Sequence, residues 1–91
     1  MGVRENKVET YLDKCVVARG GLTRKWVSPG RDGVPDRIVF LDGRTWFVEV
    51  KTDSGVLSSV QIREHARLVE MGAKVVTVYG EQGVDRFMEK I

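Results

Sequence analysis

Along the first turns of the chain, Val8, Tyr11, Leu12, Cys15 and Val16 recur at three- and four-residue spacing, the period of a helix with one buried face. The pattern predicts a helix over about residues 4–19, stopped by Gly20-Gly21. Lys25-Trp26-Val27 reads as a short strand, and Ser28 to Asp36, with two prolines and two glycines, as a loop. Arg37–Leu41 and Thr45–Thr52 read as strands around Asp42-Gly43, a strong hairpin-turn signal. Ser58 or Ser59 opens a second helix that runs to about Met71 and ends at Gly72. Lys74–Tyr79 looks like a buried strand, and Val84, Phe87, Met88 and Ile91 fit a short closing helix. The order is αβββαβα, an α/β domain over residues 1–91 whose mixed sheet is flanked by helices.

The hairpin carries charges that a plain structural strand does not need. Side chains alternate along a strand, so Thr45, Phe47, Glu49 and Lys51 share one face while Trp46, Val48 and Val50 share the other. Glu49 and Lys51 then point the same way, roughly 6–7 Å apart. With Asp42-Gly43 as a two-residue turn, 41 faces 44, and counting outward sets Asp36 opposite Glu49, with Cβ atoms about 5 Å apart. Two carboxylates that close repel, and a divalent cation reverses the sign of that interaction. Asp36, Glu49 and the Val50 carbonyl are hard oxygen ligands of the kind Mg²⁺ or Mn²⁺ accepts. Lys51 adds a positive charge that can orient or deprotonate a water or stabilise a phosphorane. The plainer alternative is a cross-strand Asp/Glu/Lys cluster on a wet sheet face.

Composition narrows the setting. At 91 residues the chain forms a small core that a dimer or a partner would help. Its 42% hydrophobic and 31% charged residues fit a soluble globular protein. A single cysteine, Cys15, excludes a disulfide framework and a Cys-rich zinc site and suits a reducing compartment. No signal-peptide core follows the N-terminal methionine, and no apolar run approaches membrane length. A cytoplasmic protein is expected. The net charge of +2 says little, but residues 1–31 are basic and residues 32–91 slightly acidic, a modest pointer to a polyanionic partner.

Gly33-Val34-Pro35-Asp36, then Glu49-Val50-Lys51, then Gln61 in the following helix, resemble the PD-(D/E)xK nuclease superfamily. With Ser28-Pro29-Gly30-Arg31 ahead of them and an aromatic-rich strand ending in Glu-x-Lys, they resemble more narrowly its VRR-NUC (virus-type replication-repair nuclease) domains, standalone viral type. The resemblance runs from about Glu5 to the C-terminus and implies a restriction-endonuclease-like core and a metal-dependent phosphodiesterase acting on DNA. It implies Mg²⁺ or Mn²⁺ on Asp36, Glu49 and the Val50 carbonyl, a catalytic Lys51, a Gln61 that positions substrate or water, and a first-helix glutamate best matched by Glu5. It further implies a homodimer resembling Holliday-junction resolvases, cutting branched double-stranded DNA, four-way junctions first, in a host-cell cytoplasm if the protein is viral. A flap- or nick-directed nuclease and a catalytically idle DNA-binding module are the alternatives.

At about 100° per residue, Glu5 projects inside the apolar arc of the first helix and Glu9 just beyond its edge, so either can be the helical site glutamate. Ser58-x-x-Gln61 is also a capping box, which would compete with a role for Gln61 in the site. His65, the single histidine, shares the Gln61 stripe and reads as a neutral, hydrogen-bonded side chain. Arg24, Lys25, Arg31 and Arg37 flank the loop and suit phosphate contacts. Cys15 reads as core, Trp46 as core or dimer surface, and Phe87 and Met88 as apolar residues available to a two-fold partner.

Overall fold

A computed structural model describes residues 3–91, with residues 3–5 described by their backbone alone. The elements are α1 (Val3–Ala18), β1 (Leu22–Lys25), β2 (Arg37–Leu41), β3 (Arg44–Lys51), α2 (Ser59–Glu70), β4 (Val75–Tyr79) and α3 (Gly80–Lys90). This is the αβββαβα order that the apolar pattern predicts. The sheet runs β1-β2-β3-β4. Its first three strands are antiparallel, and β4 lies parallel to β3 through the α2 crossover, so the sheet is mixed.

The hairpin fixes the register. Asp42 and Gly43 both take positive φ, 54° and 75°, the backbone of a tight turn whose twist matches its strands. Leu41 therefore pairs with Arg44 and Arg37 with Val48. One step beyond the last pair, this register sets Asp36 opposite Glu49, consistent with the Val50 N–H donated to Asp36 Oδ2 at 2.9 Å.

The two faces of the sheet differ. Val39, Leu41, Val48, Val50 and Val78 meet Val8, Leu12 and Val16 of α1 and Val84, Phe87 and Met88 of α3 in one buried cluster. The other face carries Phe47, Glu49 and Lys51 under α2, whose one buried residue is His65. Two expectations change here. The first strand lies three residues earlier than Lys25-Trp26-Val27 suggested, because β1 is a polar edge strand; Trp26 sits just past its end, its N–H donated to the Asp36 carbonyl at 3.0 Å. Phe87 and Met88 are not left on the surface for a partner, and Trp46 is half-buried against them. Phe87 and Met88 are 5% and 9% exposed, and Trp46 packs edge-on against Phe87 at 5.6 Å, inside the protein's own core.

Candidate metal-dependent nuclease site

The site begins where the β2–β3 ladder stops. Val50 N–H donates to Asp36 Oδ2 at 2.9 Å. In a strand the N–H and C=O of one residue point to the same side, so the Val50 carbonyl faces the same edge. Continuing the register, its ladder partner would be residue 35. That residue is Pro35, which has no N–H to give. The ladder thus offers the Val50 carbonyl no donor from residue 35, beside the Asp36 carboxylate that takes the Val50 N–H. Gly33, at φ 90°, lets the loop approach α2 so closely that a Cβ there would meet the Val60 carbonyl at 2.8 Å. Pro35 is fully buried, so the loop end carrying Asp36 is held on both sides.

Glu49 is 2% exposed on the α2 face. Gln61 Nε2 donates to its Oε2 at 3.2 Å, Lys51 Nζ stands 4.0 Å from the same oxygen, and His65 Nε2 lies 3.4 Å from Oε1. Gln61 makes its cap at the same time: Ser58 N–H donates to Gln61 Oε1 at 2.9 Å, and Gln61 N–H donates to Ser58 Oγ at 3.1 Å. The amide's oxygen caps the helix while its nitrogen reaches the carboxylate, so the two roles coexist. Burial pushes the His65 imidazole below the usual histidine range, with the backbone of Gly33 acting the other way.

The first helix supplies Glu9. It is 6% exposed and accepts from Arg37 Nη1 at 3.2 Å. Burial raises its pKa, the charges of Lys25 and Arg37 lower it, and Asp36 raises it again. Glu9 therefore feels the Asp36 side of the sheet end. The side chain of Glu5 lies outside the described residues. Helical spacing alone could not favour Glu9, because its partner Arg37 belongs to β2.

Arg37 itself turns inward. It is 15% exposed in its side chain and donates to Glu9, to Asp13 at 2.8 Å and to Thr23 at 2.9 Å. Arg24, Lys25 and Arg31 remain on the surface, Arg31 only 3.9 Å from Glu64. Among the described residues, no three Asp, Glu, His or Cys side chains form a group able to hold a metal by themselves. Two carboxylates and a carbonyl to which Pro35 offers no donor still fit a hard cation that keeps several waters.

No protein-family model matches the chain. A curated relative from Acyrthosiphon pisum secondary endosymbiont phage 1, described as "Putative nuclease p44", is 44% identical over 77 residues, which span 84% of this chain and 83% of the relative. A solved structure described as "VRR_NUC domain" superposes with a TM-score of 0.86 at 35% identity, covering 97% of each chain. Similarity of this extent, in sequence and in fold, places the chain among the VRR-NUC nucleases of the PD-(D/E)xK superfamily.

Proposed function

We propose that this nuclease is a divalent-metal-dependent, structure-specific DNA endonuclease that works as a homodimer on branched duplexes, four-way junctions first. One observation carries the reading. At the end of β3, a carboxylate held by Val50 N–H, a buried glutamate, a carbonyl to which Pro35 offers no donor and a lysine 4.0 Å from that glutamate come together. A divalent cation beside Asp36 and Glu49 would offset the repulsion between two carboxylates on one face of the sheet end.

Asp36, Glu49 and the Val50 carbonyl would hold Mg²⁺ or Mn²⁺. The ion would polarise the phosphodiester and acidify a water. Lys51 balances the charge that builds up on the phosphate oxygens. Gln61 holds Glu49 in place from α2 and presents its amide to the same space. Glu5, whose side chain lies outside the described residues, is the first-helix glutamate the family resemblance favours, with Glu9, held by Arg37, its alternative. Arg24, Lys25 and Arg31 would take phosphates along the duplex, setting affinity without reading sequence; Arg37 acts from within.

The dimer rests on size and on apolar side chains left exposed along and beside α2, Val56, Val60, Ile62, Val69 and Met71. Such side chains could be covered by a second copy, and a two-fold enzyme matches a two-fold junction. One compact domain over residues 1–91, in the cytoplasm, is the corresponding setting. No helix among the described residues is long and apolar enough to cross a membrane.

Cleavage of four-way junctions, flaps, nicked and linear duplexes with Mg²⁺, Mn²⁺ or EDTA tests the proposal, with light scattering for the dimer. Paired, near-symmetric incisions in junctions by a dimer are expected. A monomer that prefers flaps or nicks would replace the resolvase reading with a flap- or nick-directed one. Metal-independent binding without cleavage would make the protein an idle DNA-binding module.

A further inference from the structure

The two edges of the sheet are defended unequally. β1 closes one edge with four residues that include Arg24 and Lys25, and charges on an edge strand discourage pairing with another chain. β4 closes the other with Val75-Val76-Thr77-Val78-Tyr79, a run without charge, proline or glycine. One bond shows which of its backbone groups are free. Phe47 N–H donates to the Lys74 carbonyl at 2.8 Å. Backbone polar groups alternate sides along a strand, so residues 74, 76 and 78 turn theirs to β3. The N–H groups of Val75, Thr77 and Tyr79 and the carbonyls of Val75 and Thr77 then point outward, where the described residues place no further strand. Donors and acceptors alternate along this edge at the spacing of a strand.

The flank of the edge is basic. A groove of about 170 Å³ runs between β4 and α3, over Gly83 and Phe87. The charged residues that line it are Arg86 and Lys90, one turn apart and both exposed. Lys74, at the start of the strand, lies over the Trp46 ring at 5.1 Å on the same face of the sheet.

We propose that β4 takes an extended, acidic segment of a partner protein as a fifth strand, with Arg86 and Lys90 receiving its carboxylates. In such strand addition the main chain supplies affinity, and pockets for alternate side chains supply specificity. Both are present here: the outward N–H and C=O groups, and a cationic groove beside them. A DNA backbone would match the cations, but phosphates only accept hydrogen bonds and leave the outward carbonyls unmet. A second copy paired along β4 would bring its own Arg86 and Lys90 to the same rim, like charge against like. The groove lies on the face opposite Glu49 and Lys51, so the proposal stands apart from the metal-dependent reading.

The test uses the full chain and two synthetic peptides of about seven residues, one alternating valine with glutamate, the other valine with lysine. Amide hydrogen exchange by nuclear magnetic resonance reads the contact. The glutamate peptide should add protection at Val75, Thr77 and Tyr79 and leave Val76 and Val78 unchanged, because β3 already holds those two. It should bind roughly three- to ten-fold tighter than the lysine peptide, the size expected of two exposed ion pairs. Thr77→Pro removes an outward N–H, which an edge strand tolerates, and should abolish binding. The double variant Arg86→Glu, Lys90→Glu leaves the strand untouched and should reverse the preference between the peptides, with cleavage and melting temperature kept. Absence of the alternating protection, or an unchanged preference in the double variant, overturns the proposal. Protection of the same amides that rises with protein concentration and needs no peptide would make a second copy the occupant and overturn it. A double variant that loses affinity for duplex DNA, with the two peptides bound alike by the wild type, would make the flank a phosphate surface and overturn it too.

Discussion

The two faces of the sheet use burial for opposite ends. Beneath α1 and α3, burial is apolar: Leu12, Val16, Val39, Val48 and Val84 are fully enclosed. Each such side chain contributes about 1.5–3 kcal/mol by leaving water. Beneath α2, burial falls on Glu49 and His65, with Lys51 and Gln61 close by. Taking such groups out of water costs free energy and is offset only by partners. The first face makes the domain stable enough to carry the second. β3 joins them, with Val48 and Val50 turned to one side and Glu49 and Lys51 to the other.

Substitutions can separate the faces. The largest effect should come from Asp36→Asn and Glu49→Gln, which remove the anions while keeping the shape. Asn also retains an acceptor for Val50 N–H. Cleavage should vanish in both with the melting temperature held within a few degrees; wild-type cutting rates in either would move the site elsewhere. Lys51→Ala should follow, with about 10²–10³ of the rate lost and metal affinity by calorimetry kept or slightly raised. On the opposite face, Leu12→Ala should cost about 2–5 kcal/mol in chemical denaturation, while the surviving folded fraction keeps its specific activity. The smallest and finest cut is at the start of α2. Ser58→Ala should cost about 0.5–2 kcal/mol of stability as a lost cap, with little change in turnover per folded molecule. Gln61→Ala should cost a similar amount and also lower turnover, because it frees Glu49. If the two variants behave alike, Gln61 is a cap and nothing more.

Much of this is legible in the sequence. The two-residue turn at Asp42-Gly43 fixes the pairing out to Arg37 and Val48, and one further step in that register sets Asp36 against Glu49. The α1 stripe of Val8, Leu12 and Val16 is likewise a matter of period. What escaped the sequence depends on partners far along the chain. Glu9 is drawn in by Arg37, and Arg37 is held there by Asp13 and Thr23; a helical wheel contains none of these. Phe87 and Met88 are apolar whether they meet a second copy or their own core, and only the packing of Trp46 on Phe87 decides. β1 lies earlier than its sequence signal because an edge strand of Leu-Thr-Arg-Lys lacks an apolar alternation and the more apolar Trp26 stands just beyond it.

The end of the hairpin has a consequence for amide hydrogen exchange. Deep in a ladder, an amide proton is protected by a neighbouring strand and exchanges when the strands part. The Val50 proton is held instead by the carboxylate of Asp36, so its exchange reports on one side chain. Removing that carboxylate would release this proton while the amide of Val48, paired with Arg37, kept its protection. The Val50 amide is thus a built-in probe of whether Asp36 is in place, readable without substrate and without turnover.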